Sequence, residues 1–240
     1  KEAIETNRAF ASMIRDAIDG AGGPKSAVQL IQSTDRGLVG EMLRMKDAID
    51  LIIPRGGQEL IRRVAQEATM PAITGGVGVC HTYVDRAADL DMATEIVFNA
   101  KVHRPTVCNA MDSLVVHSSV APYYLPRIAE MWASAGVQMR CDRRALGMLG
   151  GGAHGDIIPA TEQDWGTEFL SLKAAVKVVD SIDDALEHIE TYGSGHSEAI
   201  ITEDYSAAMR FLNEVDSSAV MVNASTRFND GSQFGLGAEV

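Results

Sequence analysis

The chain has 240 residues, 46% of them hydrophobic, enough for one large domain or two modest ones with a sizeable core. A formal net charge of -12 and a pI near 4.9 leave no basic face for a nucleic-acid partner. Cys80, Cys108 and Cys141 have no CxxC spacing and cannot all pair, so neither a disulfide framework nor a zinc site is indicated. No apolar run is long enough to cross a membrane, no signal peptide is apparent, and a reducing cytoplasm fits the cysteine usage. The sequence starts at Lys1 inside a helical pattern and stops at Val240 without a polar tail, so it reads as a piece of a longer protein.

Ile4, Ala11, Ile14 and Ile18 recur at helical spacing, and Gly20, Gly22, Gly23 and Pro24 end that helix. Residues 27–31 read as a short buried strand. Asp35 then caps a helix carrying Leu38, Met42 and Met45. Residues 49–53 read as a second strand, 58–68 as a helix, 71–74 as a third strand and 74–78 as a glycine loop. A strand over 81–85 and a helix over 86–102 follow. Beyond Cys108 the spacing predicts strands at 113–117, 137–141, 174–179, 198–202 and 219–222. Helices are predicted at 122–135, 182–192 and 206–215, and the glycine-rich stretch 147–158 reads as a loop. Strands alternating with helices imply an α/β fold with a parallel sheet and right-handed crossovers. A boundary near Arg104 divides the chain into residues 1–104 and 105–240, with Cys108 at the junction, where pockets are common.

Cys108 is the centre of the chemical reading. Pro105 restricts Arg104 to extended backbone and ends the preceding helix. The residues after Pro105 are expected to start a new helix, placing the Cys108 thiol beside unpaired N–H groups and the positive end of a helix dipole. Both favour the thiolate, although an isolated cysteine is more often a buried structural residue. Cys80 is the weaker candidate, because neighbours on a strand point to opposite faces and His81 cannot pair with it. Cys141 lies among Arg140, Arg143 and Arg144, which would lower its pKa. His154, in the glycine-rich loop, reads as a surface residue. Gly56 and Gly57 follow a strand and open a helix, where backbone amides can meet a phosphate. This does not match GxGxxG, and an ordinary strand-to-helix turn has the same spacing. Gly75 and Gly76 open a loop that could pass under a nicotinamide ring or simply bend the chain.

Residues 27–30, 50–57, 73–85, 99–101, 104–105, 107–110, 192–196, 222–228 and 234–240 carry a resemblance in order along the chain. They resemble the gamma-glutamyl phosphate reductases (glutamate-5-semialdehyde dehydrogenases), within the aldehyde dehydrogenase superfamily. The resemblance implies part of a Rossmann-like NADP-binding domain up to residue 104, then an α/β catalytic domain from residue 105. It implies Cys108 as the nucleophile, and Gly56 and Gly57 at the dinucleotide phosphates. Gly75 and Gly76 fall beside the nicotinamide, and Glu168 on the nicotinamide ribose. Hydrolytic members carry a glutamate before the glycine loop to activate water. Ile73 and Thr74 stand there instead, which fits a reductase that must not hydrolyse its thioester.

The implied reaction is NADPH-dependent reduction of L-glutamyl 5-phosphate to the semialdehyde through a cysteine thioester, for proline synthesis. The oxyanion asparagine of relatives, the first half of the cofactor domain and the C-terminal oligomerisation strand would lie outside this piece, which alone is expected to be inactive. Arg227 is the candidate for the substrate α-carboxylate and Arg104 the alternative. A homo-oligomer is implied for the full-length protein, and glutamate 5-kinase is a possible partner. Two other readings stay open: a cysteine hydrolase using one of the six histidines, and a non-catalytic nucleotide-binding or assembly module.

Overall fold

The computed structural model describes residues 3–150 and 156–237, in two compact units, Lys1–Gly75 and Gly76–Val240. His154 and residues 238–240 lie outside the described residues.

In the first unit the apolar spacing at the start of the chain forms helix α1 (Ile4–Gly20), as expected. Asp35 Oδ1 accepts the Gly37 N–H at 2.8 Å, and the short helix α2 (Gly37–Met42) begins there, with Arg36 as its capping residue. Helix α3 (Gln58–Glu67) follows Gly57, which takes extended backbone (φ -69°, ψ 166°). Leu43, Val64 and Met70 are buried in this unit. The strands expected in this unit do not form. Where a strand is expected over 27–31, Ala27 ends a single 3-10 turn (Lys25–Ala27) and residues 28–31 are irregular. Residues 49–53 and 71–74 meet in one parallel bridge, Ile52 to Ala72. A lone bridge is no sheet, because isolated strand pairs are marginal in water. Leu51, Ile53 and Ile73 accordingly stay largely exposed.

The second unit is a parallel α/β layer structure. Its strands are β1 (Cys80–Val84), β2 (Met111–His117), β3 (Gln138–Cys141), β4 (Ile157–Pro159), β5 (Lys173–Val179), β6 (Ser197–Ile201) and β7 (Ala219–Val222). They form one seven-stranded sheet in the order β4-β3-β5-β2-β1-β6-β7, every pair parallel. The helices are α4 (Leu90–Val102), α5 (Ala121–Ser134), α6 (Arg143–Met148), α7 (Ile182–Tyr192) and α8 (Tyr205–Glu214). The central strands β1, β2 and β6 are buried almost throughout because both faces are covered, and they carry buried polar residues beside their apolar ones. Successive residues of β2 divide between the faces. Leu114 and Val116 pack with Tyr124, Leu125, Ile128 and Trp132, while Val115 packs with Tyr83, Ile200 and Phe211. Arg104 and Pro105 lie inside this unit, between α4 and β2, because β1 joins the same sheet as the later strands. The stretch read as a loop from 147 to 158 contains the last turn of α6 and the start of β4. Among the described residues no helix is long and apolar enough to cross a membrane.

Candidate active site

Cys108 sits on an exposed turn, not at a helix start. Ala110 N–H bonds Val107 O at 3.0 Å, and Met111 already begins β2. The buried strand β2 starts three residues after Cys108 and takes the chain into the sheet before a helix can form, so the expected helix dipole is absent there. The surroundings of Cys108 are instead built by the segments entering the amino ends of the strands. β1 and β2 pair from Cys80 and Met111 onward, and Gly78 and Cys108 stand just before these residues. The approach is so close that a Cβ on Gly78 would fall 2.1 Å from Cys108 O. Only glycine fits there.

Three further segments converge on the same edge. Glu168 Oε1 accepts the Gly78 N–H at 3.1 Å, and Ser194 Oγ accepts the Val79 N–H at 2.9 Å. The Cys80 thiol donates to Cys108 O at 3.2 Å and lies 3.8 Å from His196 Nδ1. Asn109 is buried and fully engaged. Its carbonyl accepts from Thr226 Oγ1 at 2.7 Å, its Nδ2 donates to Asn229 O at 2.8 Å, and its Oδ1 accepts from Arg227 Nη1. Arg227 Nε is buried with no hydrogen-bond partner among the described residues. Partial burial lowers the Arg227 pKa; Asp230 opposes this, the like charge of Arg104 adds to it, and Cys108 opposes it. Arg227 therefore feels both Arg104 and Cys108. Arg227 follows β7 but does not stay at that strand's carboxyl end, since Asn109 receives it at the amino end of β2.

The other two cysteines are buried. Burial pushes the Cys141 thiol up to about 12, against the expectation from its arginine neighbours. Those neighbours are engaged elsewhere, Arg144 with Asp180 and Arg140 with Asp164. Burial, then Glu198 and Asp112, raise the Cys80 pKa well above the ordinary thiol value. His81 turns away to Glu198, with Nδ1 3.0 Å from Oε2. Among the described residues no group of three or more His, Cys, Asp or Glu is placed to hold a metal ion.

The glycines expected at the cofactor divide between the units. Gly57 is the residue directly before α3, and a Cβ there would meet nothing within 4 Å. A Cβ on Gly56 would meet the Leu60 side chain, with Cδ2 at 2.8 Å. Gly75 ends the first unit and Gly76 opens the second, both facing open space. The sequence reading missed Gly78, Asn109, His196, Lys101 and Asp112. The one available signal was Gly78 itself, a glycine directly before a buried strand.

The aldehyde dehydrogenase family model matches residues 3–146, well over half of the chain. The chain belongs to the aldehyde dehydrogenase family. It is 57% identical over all 240 residues to a gamma-glutamyl phosphate reductase of Dehalococcoides mccartyi, covering 57% of that protein. It is 50% identical to the reductase of the same name from Aquifex aeolicus, covering 56% of it. The chain thus spans little more than half the length of these relatives. The crystal structure of gamma-glutamyl phosphate reductase from Thermotoga maritima superimposes with a TM-score of 0.91 at 47% identity, over 99% of this chain and 56% of that one. An acetylating aldehyde dehydrogenase from Geobacillus thermoglucosidasius, at 21% identity and a TM-score of 0.70, shares the fold.

Proposed function

We propose that this chain is the cysteine-bearing part of a gamma-glutamyl phosphate reductase, which turns L-glutamyl 5-phosphate into L-glutamate 5-semialdehyde and phosphate for proline synthesis. One observation carries the reading. The exposed Cys108 turn lies against Gly78 on one side, and on the other its neighbour Asn109 holds the Arg227 guanidinium. The full-chain similarity to named reductases supports it.

The Cys108 thiolate attacks the acyl carbon of the substrate. A carbon–sulfur bond forms, the carbon–oxygen bond to phosphate breaks, and phosphate leaves with the electron pair. Arg227 binds the α-carboxylate, with Arg104 as a second cation nearby. The Cys108 backbone N–H is the candidate donor to the oxyanion of the attacked carbonyl. NADPH, when bound, supplies the hydride. Residues of this chain fit such a cofactor. Gly57 leaves the first turn of α3 open to a phosphate, Gly75 and Gly76 present bare backbone, and Glu168 offers a carboxylate beside Gly78. In this reading the cofactor residues lie before residue 104, apart from Glu168, and the nucleophile and Arg227 after it. Ile73 and Thr74 offer no carboxylate to activate water, so the thioester is protected from hydrolysis. A thiolate nucleophile calls for a reducing compartment, the cytoplasm. An acyl phosphate is short-lived in water, which favours transfer from glutamate 5-kinase, and a homo-oligomer completes the proposal.

In the full-length protein Cys108→Ala should abolish phosphate-dependent oxidation of the semialdehyde, while Cys80→Ala and Cys141→Ala retain substantial turnover. Near-normal turnover in Cys108→Ala would overturn the mechanism.

A further inference from the structure

Two buried charges stand beside the cysteine turn without a task in the reaction above. Lys101, in the last turn of α4, is fully buried, and Asp112, the second residue of β2, is 2% exposed. Lys101 Nζ donates to Met111 O at 2.7 Å and lies 3.6 Å from Asp112 Oδ1. The same Oδ1 accepts the Phe169 N–H at 3.0 Å. Phe169 follows Glu168, whose carboxylate holds the Gly78 amide. Leu170 then takes φ 47°, a left-handed conformation that a leucine keeps only when its neighbours impose it. Burial raises Asp112 to about 6, against the opposing pull of Lys101, and lowers Lys101. A buried ion pair is weak evidence for stability, because a well-packed apolar pair often serves as well or better. Here the carboxylate has a specific use: it anchors the backbone from which Glu168 projects.

We propose that Asp112, with Lys101 as its counter-ion, is a positioning residue that aims the Glu168 carboxylate at the glycine loop beside Cys108. This rests on Glu168 being a cofactor ligand. Loss of the acceptor frees the Phe169 amide, relaxes the bend at Leu170 and lets Glu168 leave Gly78.

The test uses full-length protein, NADPH affinity by fluorescence titration, and thermal unfolding. Asp112→Leu alone strands Lys101 as an unpaired buried cation, so the informative variant is Lys101→Met/Asp112→Leu. Its Tm should stay close to the parent's while its NADPH Kd rises about tenfold. Asp112→Asn keeps an acceptor oxygen for Phe169 and should retain more affinity than the apolar pair. Glu168→Gln should weaken NADPH binding directly. Parental affinity in the apolar pair, with weakened binding in Glu168→Gln, overturns the positioning role and leaves Glu168 as ligand. Unchanged affinity in Glu168→Gln overturns that ligand assignment, and the positioning role with it. A parallel loss of Tm and affinity in all three variants would mark the pair as structural and also overturn the proposal.

Discussion

Replacing Gly78 by alanine tests the contact on which the cysteine turn rests. The added Cβ would lie 2.1 Å from Cys108 O, 2.8 Å from its carbonyl carbon and 3.0 Å from its Cα. Real Cβ contacts stay beyond 3.0 Å, so the two segments must part by about 0.9 Å. No rotamer change can relieve a clash with backbone, and both sides are tethered. Glu168 and Ser194 hold the 78–79 amides, and Thr226, Asn229 and Arg227 hold Asn109 beside the cysteine. Overpacking of this kind costs about 1–3 kcal/mol. A nucleophile displaced by roughly 1 Å loses on the order of 10²-fold in rate. Gly78→Ala should therefore lower kcat for phosphate-dependent semialdehyde oxidation by about that factor, and lower stability in urea by about 1–3 kcal/mol. Gly147→Ala is the control. It lies in α6, its Cβ would meet nothing within 4 Å, and the change should be neutral or stabilising by up to ~1 kcal/mol. If Gly78→Ala matches the parent in both turnover and stability, the close approach does not constrain the site.

Three further outcomes follow from other parts of the structure. Gly57→Val places its side chain in open space at a φ of -69°, so stability should hold while NADPH affinity falls; unchanged affinity would reduce the loop to a plain turn. Arg227→Met should raise KM for the semialdehyde by on the order of tenfold or more, from ~1.5–3 kcal/mol for a charged hydrogen bond. An analogue without the α-carboxylate should be affected much less, and equal losses on both would assign Arg227 to holding Asn109 alone. His188 is buried with both ring nitrogens unpartnered among the described residues, and burial, then His81 and Lys177, lower its pKa from 6.5 to about 3. The unfolded chain then binds the extra proton between those values, so stability is kept above pH 6.5 and lost as pH falls toward 3. Lowering the pH by about 1.5 units, from 6.5 to 5, should cost the parent ~2 kcal/mol through this residue. His188→Phe should remove that loss in urea titrations, and an identical acid slope in parent and variant would exclude His188 as its source.

The sheet of the second unit was legible because local pattern and burial agree there. β2 and β6 are buried along their length with apolar cores, Leu114 to Val116 and Ala199 to Ile201, and α7 and β7 begin and end where the spacing predicts. The first unit was misread for a complementary reason. Leu51 to Ile53 and Ala72 to Ile73 carry strand-like side chains, but an apolar run becomes a strand only when ladder partners take up its amides, and here they meet in one bridge. Helix α6 was missed because it is a single short segment, set by Asp142 accepting the Ala145 N–H at 2.7 Å, just before a glycine-rich stretch.

The chemistry around Cys108 was legible as a residue and not as an environment. A lone thiol after Arg104-Pro105 could be singled out by motif, but what surrounds it comes from segments far off in the chain, through contacts without periodicity. Glu168 reaches Gly78 across 90 positions, and Asn229 reaches Asn109 across 120. The expected helix dipole and a strand's carboxyl end are local devices, and neither is used. Arg227 returns to the amino edge because Thr226 and Asn229 bind on either side of it, one to Asn109 and the other to both Asn109 and Ser197. The same long-range ties make the thiol at Cys108 differ from those at Cys80 and Cys141. The turn keeps it exposed and sets Arg227 beside it, whereas the sheet buries the other two and holds them protonated. Under the proposed mechanism, selectivity among three chemically identical side chains is a property of topology, decided by which thiol stands just outside the sheet at the edge where these segments converge.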